Sequence, residues 1–138
     1  MFPIRVLLVD DSPEFLESAT RFLSTDHQIK IVGRALSGAE AIEQVALVQP
    51  DLVLMDWAMP GMNGLEATSH IKARPGAPSV VILTLYDNVE YRVAAQAAGA
   101  DGYVTKSEFG TALLPVIHTL FDDEVYFSVG RACQMQSR

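Results

Sequence analysis

Cysteine is nearly absent. Cys133 stands alone, so no disulfide can form within one copy of the chain, and it reads as an inert thiol in the C-terminal segment. Positive charge is scarce too: ten Lys and Arg against seventeen Asp and Glu leave a formal net charge of −7 at pH 7. A surface of that sign argues against nucleic-acid binding by bulk electrostatics and against an anionic membrane surface. No apolar run approaches the ~20 residues that span a bilayer. Met1 to Arg5 lead straight into a strand-like segment, without the layout of a signal peptide. Internal repeats, low-complexity linkers, a G-x-G-x-x-G pattern and a P-loop pattern are all missing. The expectation is a soluble cytoplasmic protein. What is present suits one packed domain: 138 residues, of which 49% are apolar and 20% charged.

Short apolar runs alternate with segments of helical period. The runs are Ile4–Val9, Ile29–Ala35, Leu52–Met55, Val80–Leu83 and Gly102–Val104. Each is rich in β-branched residues or Leu and lacks polar alternation, the mark of strands covered on both faces. Ser12-Pro13 reads as an N-cap and first helical residue, with Phe15, Leu16, Ala19, Phe22 and Leu23 following at helical spacing. Ser37 to Glu40 reads as a capping box ahead of Ala41, Ile42, Val45 and Ala46. Gly64–Lys72, Asn88–Ala98 (closed by Gly99) and Leu113–Phe121 complete five helices. Five strand–helix alternations predict an α/β fold with a doubly wound, five-stranded parallel sheet. Met55, Met59 and Met62 read as packing. His27, His70 and His118 are scattered and receive no role.

Chemistry gathers where the strands end. The first closes on Asp10-Asp11, the third on Asp56, the fourth on Thr84 and the fifth on Lys106. In a parallel sheet these ends share one edge, where ligands bind. The second strand carries no such group and is placed at the margin, giving the order 2-1-3-4-5. Each residue alone also fits a solvated turn or strand end; four strand ends with complementary groups are a different matter. Three close carboxylates need a hard cation or a retained proton, and Mg²⁺ suits few carboxylates with several waters. With a hydroxyl and an ammonium beside them, one carboxylate is left to attack, which fits phosphoryl transfer to an aspartate.

The segments Val6–Ser12, Asp51–Asp56, Met59–Leu65, Val81–Thr84 and Ala98–Lys106 resemble, in order and spacing, the receiver domains of bacterial two-component response regulators, over roughly residues 4 to 121. The resemblance implies a flavodoxin-like (βα)5 fold and a signalling domain, not an enzyme with a separate substrate. It implies that Asp56 accepts phosphate from a sensor histidine kinase or phosphotransfer protein. Asp11 and Asp56 would ligate Mg²⁺, with Asp10 acting through water and Ala58 through its backbone carbonyl. Thr84 and Lys106 would hold the phosphoryl oxygens. Tyr103 is similar to the aromatic that follows Thr84 when phosphate arrives, turning the surface of the fourth helix, fifth strand and fifth helix toward an output partner or domain. A homodimer on activation is left open.

Two positions depart from the pattern. Ser107 stands where the family has a proline after a cis peptide bond. A cis bond before a non-proline residue costs about 2.5–4 kcal/mol, so either strain or a rerouted loop is expected. Pro115 cannot donate to the Thr111 carbonyl, so the fifth helix is expected to start late, near Leu114, or to kink. Leu83–Asp87 and Glu124–Ser128 resemble the NarL/LuxR-type subfamily, whose receivers precede a helix-turn-helix domain. The receiver is placed at residues 1–122, with 123–138 a tail or the start of a linker, and the chain is expected to be a stand-alone receiver or one separated from an output domain. Two other functions fit some features. One is a receiver-like interaction domain that works without phosphate. The other is a Mg²⁺-dependent phosphatase, which the absence of an acid at Ala58 and of a cap domain disfavours.

Overall fold

The computed structural model describes residues 3–121. Five strands, β1 (Ile4–Val9), β2 (Ile29–Ala35), β3 (Leu52–Asp56), β4 (Ser79–Thr84) and β5 (Gly102–Thr105), alternate with five helices. These are α1 (Pro13–Leu23), α2 (Gly38–Val48), α3 (Gly64–Lys72), α4 (Val89–Ala97) and α5 (Phe109–Phe121). All strand pairs are parallel and the order is β2-β1-β3-β4-β5, as the strand endings predict. Cys133, Glu124–Ser128 and the 123–138 segment lie outside the described residues.

Two apolar cores flank the sheet. Val6, Leu8, Leu52, Leu54, Val81, Leu83 and Val104 pack with α1 and α5 through Leu16, Leu23, Leu113 and Ile117. Leu7, Val9, Val53, Met55, Val80 and Ile82 pack with α2, α3 and α4 through Ala41, Ala67, Ile71 and Ala95. Successive strand side chains alternate between these layers. By that alternation Asp10, Asp56 and Lys106 continue the rows that face α1 and α5. Thr84 and Tyr103 belong to the rows that face α2 to α4.

Caps set the helix starts. The Ser12 hydroxyl accepts from the Phe15 amide at 3.2 Å with Pro13 at the first helical position. Asn63 and Glu66 form a reciprocal capping box on α3. At α2 the box is incomplete: Ser37 accepts from the Glu40 amide, but Glu40 reaches past it to the Leu36 amide. Ala46 is exposed, so the buried stripe of α2 is narrower than its period suggests.

Ahead of the last helix the rerouted loop replaces the strained cis bond, and the expected late start of that helix needs correction. Lys106–Ser107 is trans, like every peptide bond among the described residues, and Lys106–Glu108 form a 3-10 turn that leads directly into α5. Without proline the cis penalty has nothing to offset it. Helix α5 begins at Phe109, not near Leu114, and carries Pro115 inside it. Thr111 and Pro115 are both exposed, so the carbonyl that loses its donor lies where water can reach it. Burial of Leu113 and Ile117 on the opposite side holds the helix through that gap.

Candidate functional site

Asp10 follows β1 directly, and its Oδ1 accepts from the Ser12 amide at 2.9 Å. That bond fixes the turn into α1 and leaves Oδ2 for Lys106, whose Nζ donates to it at 2.7 Å. The same ammonium lies 3.2 Å from Asp56 Oδ1. Asp10 and Asp56 are only 1% and 4% exposed, so this charge pairing takes place out of bulk water. Asp11 is exposed at the mouth. Carboxylate oxygens of Asp10, Asp11 and Asp56 all lie within 4.8 Å of one another.

Such crowding shifts protonation. Burial, then the neighbouring charge of Asp10, pushes the Asp56 carboxyl up to about 6, against the opposing pull of Lys106. Burial by itself would lower Lys106, but its bond to Asp10 and the charges of Asp56 and Asp10 prevail and hold it above the ordinary lysine value. The donor set, three carboxylates with one exposed to water, is hard and oxygen-only, and fits Mg²⁺. Ala58 is exposed in the loop after β3, two residues beyond Asp56. Gly64, the first residue of α3, packs so tightly on the Asp56 carbonyl that a Cβ could not be placed there. Its amide donates to the Trp57 carbonyl at 2.9 Å, which closes the β3–α3 loop under the site.

Thr84 ends β4, one residue past the Leu83 that registers with Asp56, and is 2% exposed. Its Oγ1 accepts from the Tyr86 amide at 3.1 Å, while the Tyr103 hydroxyl donates to the Tyr86 carbonyl at 2.5 Å. Both partners of the expected switch therefore hold the backbone of one residue. The Tyr103 ring lies under the Arg92 guanidinium at 4.6 Å, and Arg92 pairs with Asp87 at 2.8 Å. All the residues singled out at the strand ends are thus gathered at one edge.

Three contacts were not legible beforehand. Trp57 stacks on Tyr91 of α4 with ring centroids 4.5 Å apart, joining the residue after Asp56 to that helix. Arg92 covers Tyr103. Phe15, read only as an apolar helix position, places its ring 4.4 Å from the Lys106 ammonium. The position of Trp57 beside Asp56 is a usable signal; nothing in the sequence aims the other two side chains.

An acidic pocket at the carboxyl edge of a 2-1-3-4-5 parallel sheet, with a lysine bonded into it, defines the class. A family model described as the response regulator receiver domain matches residues 6–133, and the chain belongs to that family. It is a receiver domain of two-component response regulators, a signalling domain. It is 36% identical over 138 residues to the response regulator protein VraR of Staphylococcus saprophyticus, covering 99% of this chain and 65% of that protein. It is 33% identical over 126 residues to the nitrate/nitrite response regulator protein NarL of Escherichia coli K12, covering 91% and 58%. Among solved structures, a LuxR-family two-component response regulator from Aurantimonas superposes with a TM-score of 0.82 at 35% identity, covering 86% of this chain and 84% of that one. The chain spans about three fifths of the length of these two curated relatives. No helix among the described residues is long and apolar enough to cross a membrane.

Proposed function

We propose that Asp56 accepts a phosphoryl group from a phosphohistidine on a sensor histidine kinase or phosphotransfer protein, and that the receiver, residues 1–122, passes this event to an output partner or domain. The observation that carries the reading is the Lys106 ammonium bonded to Asp10 and beside Asp56 within a three-carboxylate cluster. An Asp56 oxygen attacks phosphorus, the N–P bond breaks with its electrons passing to the imidazole, and a mixed anhydride forms on Asp56. A carboxyl at about 6 is mostly ionised at neutral pH, so the nucleophile is available. Lys106 stands within reach of oxygens attached at Asp56 and offsets their charge. Asp10, Asp11 and Asp56, with the Ala58 carbonyl, would hold Mg²⁺, which supplies charge neutralisation and orientation when bound.

The new charge, about −1.5 to −2, also offers the Thr84 hydroxyl a strong acceptor to donate to, and turning toward it draws the hydroxyl oxygen away from the Tyr86 amide whose bond it accepts. Releasing that tie frees the Tyr86 backbone, and with it the anchor of the Tyr103 hydroxyl. Tyr103 then turns toward the space Thr84 leaves, tilting an equilibrium between two arrangements of α4, β5 and α5. Leu85, Val89 and Val93, which are 73%, 73% and 59% exposed, give that surface an apolar stripe suited to docking.

Incubation with Mg²⁺ and acetyl phosphate, followed by intact-mass measurement, tests the reading. One phosphoryl group should add to the wild type and none to Asp56→Asn. An unmodified wild type, or equal modification of the variant, overturns it.

A further inference from the structure

The lysine that faces the phosphoryl site is placed here without the proline and cis peptide that the family pattern supplies, so something else must aim it. The Lys106–Ser107 bond is trans, and the chain passes through a 3-10 turn into α5. Three residues on, Phe109 packs edge-to-face on Phe15 of α1, with ring centroids 5.4 Å apart. Phe22, two turns along α1, closes on Phe109 at 5.3 Å. The Phe15 ring in turn lies 4.4 Å from the Lys106 ammonium. That ammonium has Asp10 Oδ2 at 2.7 Å and Asp56 Oδ1 at 3.2 Å as its other neighbours.

We infer that Phe15 is a positioning residue for phosphoryl transfer: its ring holds the Lys106 ammonium against Asp10 and Asp56, and its contact with Phe109 fixes the turn that carries the lysine. The inference rests on the reading of Asp56 as phosphoacceptor. A lysine stem is flexible, with four carbons and three rotatable donors, and two carboxylates on one side do not stop it from swinging to water. An aromatic face on the other side does, because the ring's negative face attracts the ammonium and its bulk excludes solvent. The aromatic pair is built from both ends of the domain, so the lysine's position reports the docking of α5 on α1. Asp10, the first residue of the turn into α1, and Phe15, in the first turn of that helix, then close on the same ammonium.

Two variants at Phe15, a Lys106→Met background and two readouts decide the matter. Phe15→Leu keeps an apolar side chain but removes the ring; Phe15→Trp restores a ring face. The initial rate of phosphorylation by acetyl phosphate with Mg²⁺ should fall roughly 3- to 10-fold in Phe15→Leu, the range expected for a partly desolvated cation–π contact, and recover in Phe15→Trp. In a Lys106→Met background, Phe15→Leu should change the rate no further. Independently, the Lys106 ε-methylene proton resonance of the unphosphorylated protein should sit upfield in wild type and move downfield in Phe15→Leu. An unchanged rate in Phe15→Leu, a loss that Phe15→Trp fails to restore, or an unmoved resonance overturns the proposal. A wild type that takes no phosphoryl group refutes the phosphoacceptor reading instead, and the resonance alone then decides whether Phe15 aims Lys106.

Discussion

Removing the charge of Asp56 should make the metal-free domain more stable, although it deletes the central residue of the site. In the fold its carboxyl sits at about 6 against an ordinary value of 3.8, chiefly through burial and the adjacent Asp10. Ionising it therefore costs the folded state about 3 kcal/mol relative to the unfolded chain, at about 1.4 kcal/mol per tenfold change in proton affinity. Asn resembles the neutral acid, and Lys106 keeps Asp10 as its partner at 2.7 Å. Asp56→Asn should then gain up to about 3 kcal/mol, or roughly 10 °C in Tm for a domain of this size. The sign with pH is definite. Below about pH 4, Asp56 is protonated in both states and the gain vanishes. Between about pH 4 and 6 the folded state retains the proton that the unfolded chain has lost, so the wild type loses stability as pH rises and the gap opens. Above about pH 6 the gap is constant. Urea unfolding of both proteins in EDTA, from pH 4 to 8, reads it directly. An Asn variant no more stable than wild type at pH 7.5, or a gap that stays the same at pH 4, would refute the reasoning.

Lys106→Met leaves Asp10 and Asp56 charged and unpaired, and should cost about 3 kcal/mol in urea unfolding at pH 7.5 without metal, less when Asp56→Asn is also present. Excess Mg²⁺ should raise the wild-type unfolding free energy by about 2.7 kcal/mol at a hundred times its Kd, and Asp11→Asn should need higher Mg²⁺ for the same gain, read by thermal melts at stepped concentrations. Gly64→Ala should cost more than about 3 kcal/mol, because the methyl group has nowhere to go but into the Asp56 carbonyl, and a near-normal melt would show that the loop yields. Asp26 is held below its ordinary value, since the Gln28 amide and His118 (2.8 Å) outweigh its burial. Asp26→Asn should therefore lose up to about 1 kcal/mol near pH 6, with the loss fading as pH falls through the lowered folded value.

Much of this was legible because buried parallel strands announce themselves and because their last residues carried the chemistry. Ile4–Val9 and Ile29–Ala35 have the bounds that their apolar runs suggest. β3, β4 and β5 each extend slightly beyond theirs, to Asp56, Thr84 and Thr105, so the polar ends belong to the sheet itself. The order followed from placing the strand without a polar end at the margin. α5 was misread because proline weighs heavily in a local argument, whereas burial of Leu113 and Ile117 and a solvent-side Thr111 decide the matter in three dimensions. The capping box at Ser37 was half right for a related reason: spacing brings Glu40 to the helix start but does not choose between the amides of Ser37 and Leu36. The ring contacts of Phe15, Trp57 and Arg92 depend on side-chain direction across separate elements, which one-dimensional spacing cannot carry.

Thr84 and Tyr103 both grip residue 86 by its peptide groups, while its half-exposed ring tilts against Tyr91. Any amino acid with an N–H and a carbonyl can serve as that relay, and only proline would cut it. The side chain is consequently at liberty to differ between otherwise similar switches, adjusting what approaches the acidic mouth while the message still gets through.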